Sequence, residues 1–254
     1  MTSSYTTESP DEILSVTNLS RRFGGLVAVN KLNFKVGKGE LVGLIGPNGA
    51  GKTTLFNLLM GLIKPSEGDV YLENHRVTGL KPHQVCQRGM VKTFQNVALF
   101  PEMSVLENVM TGGLQHLSLN EAKNFASVNL DKVGMLHIAS KIAADLTFPE
   151  KALVEMARAL CTSPKIVLLD EVMAALNDVE MDQILILIRK LRDDEGLTFI
   201  VIEHHMRAIM NLCERIIVIS FGQMIAQGTP AEISRHPDVI AAYLGQEMKV
   251  EDPA

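Results

Sequence analysis

With 254 residues, the chain is long enough to bury a sizeable core as one domain, or as one domain carrying a subdomain. A formal net charge of −5 and the lack of any Lys/Arg cluster argue against a polyanion as main partner, so no nucleic acid is expected. Plentiful aliphatic residues, no Trp and 5% aromatics suit an α/β protein with short buried strands, and Cys86, Cys161 and Cys213 lack metal-ligand or disulfide spacing and read as small buried apolar residues.

Met1 to Asp11 is Ser/Thr-rich and acidic, without the basic start and apolar run of a secretory signal, and reads as a flexible tail. Leu14 to Phe34 alternates short apolar and polar stretches around Gly24-Gly25, the pattern of antiparallel strands. Leu41 to Ile45 is a buried strand that runs into a glycine loop and then a helix from about Gly51 to Met60. Lys64 to Gly68 forms a turn, and Val70 to Leu72 a further short strand.

From about Val105 to Ala143 the pattern is mainly helical, with Gly112-Gly113 and Gly134 as breaks, and it is read as a helical subdomain inserted into the core. Helix Glu150 to Cys161, strand Ile166 to Leu169, helix Val179 to Arg192, strand Thr198 to Ile202, helix Met206 to Cys213 and strand Ile216 to Ser220 then alternate. Such alternation implies a parallel sheet with helices on its faces. The apolar runs are of strand length, far short of the roughly 20 residues of a membrane helix, so membrane attachment would come through a partner.

Gly46-Pro47-Asn48-Gly49-Ala50-Gly51-Lys52-Thr53 matches the phosphate-loop pattern between a strand and a helix, with Thr54 counted to the same site. Its glycines let backbone N–H groups converge on a β-phosphate at the positive end of the helix. Lys52 is expected to reach the β- and γ-phosphates and the Thr53 hydroxyl to coordinate Mg²⁺. Ile166 to Glu171 is an apolar strand ending in two carboxylates, where ligands of open parallel sheets bind. Asp170 is placed to hold Mg²⁺ and Glu171 to orient and deprotonate a water; the bland alternative is a solvated pair that caps the next segment.

At this point the chain resembles the ATP-binding subunits of ABC transporters over nearly its whole length, and within them the branched-chain amino acid uptake group. The resemblance rests on Arg22 to Val29, on Lys92-Thr93-Phe94-Gln95-Asn96-Val97 and on the ending His236 to Gly245. It implies an α/β fold: a P-loop NTPase core of mainly parallel sheet, with an antiparallel β subdomain and an inserted helical subdomain. One such domain would span 12–248, with its core at 12–98 and 162–248, its helical part at about 99–161, and tails at 1–11 and 249–254.

It also implies that Phe23 stacks on adenine, against the competing reading of a half-buried strand residue, and that Gln95 is a Mg²⁺ and water contact linking the site to the helical part. His204 falls on the position that contacts the γ-phosphate and helps place the water; the usual Glu-His-Asp is here Glu203-His204-His205.

Members of this family work as head-to-tail pairs, identical or paralogous, in which a Leu-Ser-Gly-Gly-Gln signature of one subunit closes over the ATP of the other. They dock on transmembrane permease subunits at the cytoplasmic face of the membrane, and a solute-binding protein is an indirect partner. Here the matching stretch is Leu146-Thr147-Phe148-Pro149-Glu150, without either glycine or the glutamine. Pro149 has no N–H to offer a phosphate, and Thr147 and Glu150 have the spacing of a capping box. Val172 stands in place of a usual Pro, and Ala175-Leu176-Asn177-Asp178 in place of the loop that follows. These departures motivate an expectation of an asymmetric pair, in which this chain's own site is complete and the site it closes is weaker. The implied function is ATP hydrolysis that energises an importer. The alternatives are a catalytically weak regulatory subunit and an ABC ATPase outside transport.

Overall fold

The protein's structure, a computed structural model, describes residues 12–93, 98–173 and 176–247. The expected tails at 1–11 and 249–254 lie outside these residues.

Strands β1 (Glu12–Phe23) and β2 (Leu26–Gly37) form an antiparallel hairpin. Gly24 makes its turn possible at φ +57, a conformation costly for residues with a Cβ. Strand β3 (Leu41–Ile45) leads through the glycine loop into helix α1 (Lys52–Leu59). Strands β4 (Glu67–Leu72) and β5 (His75–Arg76) complete a four-stranded antiparallel sheet in the order β2-β1-β4-β5. Helix α2 (Pro82–Gln87) and strand β6 (Met90–Lys92) come next.

Three helices, α3 (Val105–Gly113), α4 (Leu119–Lys132) and α5 (Phe148–Leu160), then pack on one another as the helical insertion. The chain continues as β7 (Ile166–Asp170), α6 (Asp178–Glu195), β8 (Thr198–Ile202), α7 (Met206–Leu212), β9 (Arg215–Ser220), β10 (Gln223–Gly228), α8 (Pro230–Ile233) and α9 (Pro237–Glu247). The second sheet runs β10-β9-β3-β8-β7-β6, parallel except for β10 at its edge.

The period-2 geometry of this sheet divides the core. Leu41, Val167, Leu169, Phe199, Val201, Ile216 and Val218 face α5, α6 and α7. Their neighbours Val42, Leu44, Ile166, Leu168, Ile200, Ile202, Ile217 and Ile219 face α1 and the antiparallel sheet. Both faces of β3, β7 and β8 are buried, which is why they are continuous apolar runs rather than alternating ones. Their carboxyl ends lie side by side at one edge, where the polar residues gather.

Two expectations sharpen. Gly112 and Gly113 are the last two residues of α3, which stops there with Leu114 as its C-cap, and Gly112 also serves close helix packing, since a Cβ on it would stand 2.3 Å from the backbone oxygen of Arg158 on α5. Gly134, at φ +75 just after α4, marks the second break. The helix expected from Glu150 begins at Phe148, with Thr147 as its N-cap. Among the described residues Cys161 and Cys213 are buried, Cys86 is half-buried, and all three are free thiols.

Candidate functional site

The glycine loop is wedged between two strands. A Cβ on Gly46 would stand 2.0 Å from the backbone oxygen of Ile219 on β9, and one on Gly51, at φ +105, would stand 2.3 Å from that of Ala28 on β2. Only glycine fits both places. The Gly222 N–H donates to the Ala50 carbonyl at 2.9 Å and the Asn30 N–H to the Gly222 carbonyl at 2.8 Å, which ties the loop to β2 and to the turn after β9. Gly51 caps α1 without a side-chain hydrogen bond, so the first amides of that helix are left for another acceptor.

Lys52 is buried and folds back on its own loop, donating to the carbonyls of Gly46 at 2.7 Å and Pro47 at 3.2 Å. Burial lowers its pKa, while Glu171 and Asp170 oppose that shift. Beside it, Thr53 is exposed and Thr54 half-buried.

Across the loop, β7 ends in Asp170, which is 1% exposed. Glu171 follows at φ +55, a left-handed conformation that costs a non-glycine residue on the order of 1 kcal/mol and is maintained by the surrounding structure. Its N–H donates to the Ile202 carbonyl at 2.9 Å, so the end of β8 fixes its position. His204, just beyond β8, brings Nε2 to 2.7 Å from Glu171 Oε1; when Nε2 carries the proton, it donates to the carboxylate. The carboxylate is 12% exposed and the imidazole 46%, so the pair opens outward.

A cleft of about 410 Å³ joins these parts; Phe23, Asn48 to Thr54, Glu171 and His204 all line it. Phe23 is 43% exposed, with the Arg21 guanidinium 4.4 Å from its ring centroid. Gly46 and Pro47 lie behind the cleft as acceptors for Lys52. Gln95, together with Phe94, Asn96 and Val97, lies outside the described residues, as do Ala174 and Ala175.

The residues present suit a small hard cation, which is held by one or two carboxylates together with substrate phosphates. Asp170 Oδ1 is buried with no hydrogen-bond partner among the described residues, and the Thr53 hydroxyl is accessible. No cluster of three or more His, Cys, Asp or Glu is arranged for a metal among the described residues, so such an ion would depend on the phosphates as further ligands.

Thr147, Phe148, Pro149 and Glu150 do not line this cleft; they form the first turn of α5. The Thr147 N–H and hydroxyl donate to Glu150 Oε2 at 2.7 and 3.0 Å, and the Glu150 N–H donates to Thr147 Oγ1 at 3.4 Å. This is the reciprocal capping box expected from the spacing. These bonds hold the Glu150 carboxyl below its usual pKa, the Thr147 amide first among them, and Lys141 lies 3.4 Å away.

Two residues of the site carry no signal of their own in the sequence. Lys92, read there only as part of a motif, places Nζ 2.8 Å from Asp170 Oδ2. Glu203, 2% exposed, accepts the Met173 N–H at 2.8 Å and so joins the end of β8 to the segment after Glu171. Each partner lies far along the chain, and only the pairing of β6, β7 and β8 brings them together.

Residues 29–174 match the family model described as ABC transporter, and residues 223–249 match that of the branched-chain amino acid ATP-binding cassette transporter. The chain is 41% identical over 250 residues to the high-affinity branched-chain amino acid transport ATP-binding protein BraF of Pseudomonas aeruginosa, covering 92% of this chain and 98% of that one. LivG of Escherichia coli, with the same description, is 40% identical over the same shares. Among solved structures, the ADP conformation of MJ1267, an ATP-binding cassette of an ABC transporter, matches with a TM-score of 0.84 and 31% identity over 92% of this chain and 99% of that one. The dimeric structure of the bacterial ABC transporter cassette MJ0796 matches with a TM-score of 0.77 and 27% identity over 86% and 99%.

Proposed function

Because the chain belongs to the ABC transporter family of ATP-binding proteins, we propose that it is the ATPase subunit that energises an importer of branched-chain amino acids or closely related metabolites. The observation that carries the reading is the Glu171–His204 pair at 2.7 Å on the wall of the phosphate-loop cleft. Loop amides and the start of α1 receive the phosphates, and Lys52 leaves its loop carbonyls to take a β- or γ-phosphate oxygen. Phe23 offers a ring face for the adenine.

Glu171 then accepts a proton from a water aligned on the γ-phosphorus, and His204 holds that carboxylate while presenting its ring to the γ-phosphate. Thr53, Asp170 and Gln95 would hold Mg²⁺, which when bound offsets the charge of the phosphate oxygens. No helix among the described residues is long and apolar enough to cross a membrane, so we take attachment at the cytoplasmic face to be through permease subunits, with residues 99–161 as the helical part beside the 12–98 and 162–248 core.

Glu171→Gln keeps the hydrogen bond to His204 but removes the base. Purified Glu171→Gln is expected to bind ATP and to lose more than about 99% of turnover, a loss in the usual range for a general base. Turnover within twofold of wild type would remove Glu171 from this role.

We take the working unit to be a pair of such subunits, and the capping box favours unequal halves. The first-turn donor of Glu150 and the Thr147 hydroxyl are already engaged, and Pro149 has none. The face closing over the partner's ATP is therefore a poor anion site. With the partner present, removing this chain's Glu171 should abolish more ATPase than removing the partner's equivalent; equal losses would refute the asymmetry.

A further inference from the structure

Among the described residues the most buried ion pair joins Lys92 to Asp170, with Nζ 2.8 Å from Oδ2 and the two side chains 6% and 2% exposed. Strand β6 places the lysine by running parallel to β7 with Lys92 level with Leu168, two residues short of the carboxylate. Helix α1, which starts at the phosphate loop, supplies the rest of its surroundings. Lys92 Nζ donates to Asn57 Oδ1 at 3.4 Å and sits 5.8 Å from the centre of the Phe56 ring.

The next residue, Thr93, accepts the Asp170 N–H on Oγ1 at 3.4 Å. The carboxylate is thus held from its backbone and from one oxygen, while Oδ1 is buried without a partner among the described residues. A pair that served stability alone would be poorly chosen, because apolar side chains of similar volume hold a core as well without desolvating two charges. The unmatched oxygen points to a second cation as the missing partner.

Resting on the ATPase reading above, in which Asp170 faces a divalent cation, we propose that Lys92 is a positioning residue: it holds Oδ2 as resident countercharge and leaves Oδ1 as the atom turned toward the cation. Without the cation, the Lys92 ammonium is the positive group in direct contact with a carboxylate that water barely reaches, while Lys52 acts on it only through space. With the cation bound, both positive groups share it, and the ammonium's contribution to the fold becomes smaller.

The test is the melting temperature of the full chain with ATP, measured with EDTA and with saturating Mg²⁺, for wild type, Lys92→Met and Lys92→Arg. In EDTA, Lys92→Met is expected to melt roughly 10 °C below wild type, the size of shift that follows from leaving a buried charge unpaired. In Mg²⁺ at least half of that gap should close, and the Mg²⁺ concentration at half-maximal shift should fall severalfold. Lys92→Arg should track wild type. If Lys92→Met does not fold, Lys92→Gln, which keeps a donor for Oδ2 without the charge, is measured in the same way.

A gap equal in EDTA and Mg²⁺ overturns the proposal, because a purely structural pair has no reason to sense the cation. So does the absence of any gap. Asp170→Asn separates the underlying reading: if its Mg²⁺-dependent shift equals that of wild type, Asp170 does not face the cation, and the proposal falls with that reading rather than through Lys92.

Discussion

Glu203→Gln should make the protein more stable above neutral pH and leave it unchanged below about pH 4. Burial pushes the Glu203 carboxyl up to about 7, the Met173 amide pulls it down, and the charges of Glu171 and Asp170 push it further up. In the unfolded chain the same group titrates near its ordinary 4.5. Between these values the folded protein holds a proton that the unfolded chain has released, so stability falls as pH rises through the window and the loss is complete above about pH 7. At about 1.4 kcal/mol per pH unit, the gap between 4.5 and about 7 corresponds to about 3 kcal/mol. The side chain is 2% exposed, so solvent does little to screen it.

Glutamine keeps an acceptor for the Met173 N–H and cannot ionise. Urea midpoints for both proteins from pH 4 to pH 8 check the expectation, since groups that do not interact with Glu203 titrate alike in the two and cancel in the difference. The curves should meet near pH 4 and diverge to about 3 kcal/mol in favour of Glu203→Gln by pH 8. Parallel curves, or a less stable variant at pH 8, would refute the assignment of a proton-holding Glu203.

Thr147→Ala removes the capping hydroxyl of α5 and should cost about 1 kcal/mol in urea unfolding, with Thr147→Ser restoring it; no change would mean that the capping box adds nothing. Because the segment lies away from the cleft, ATP affinity of the isolated chain should not move. Burial raises Cys213 to about 12 and Cys161 to about 11, and half-buried Cys86 is also raised. A disulfide reagent at pH 8 should therefore titrate the thiols slowly in the native protein, Cys86 first, and all of them rapidly in denaturant; prompt native labelling of more than one would contradict the packing.

Much of the fold is legible along the chain. Leu41 to Ile45, Ile166 to Leu169 and Thr198 to Ile202 are apolar runs too short for helices, and each is a strand. The turn at Gly24-Gly25 separates two paired strands as its residues indicate. Less legible are β6 and α2, because Met90 to Lys92 and Pro82 to Gln87 are too short to establish a period. Gly112 and Gly113 signal the end of α3 but not their packing: Gly112 lies against α5 and Gly113 against Ala122 of α4, and local propensity contains no term for a neighbour met through folding.

The candidate site divides along the same line. Local sequence was enough to place the glycine loop between β3 and α1, the two carboxylates at the end of β7 and the capping box of Thr147 and Glu150, because each depends on residues within a few positions and on the backbone they prefer. Tertiary structure alone decided that His204 meets Glu171, that Lys92 meets Asp170 and that Glu203 holds Met173. Those contacts join the ends of different strands, and the order β3-β8-β7-β6 in which the strands lie comes from pairings between segments far apart in the chain, which no one segment encodes.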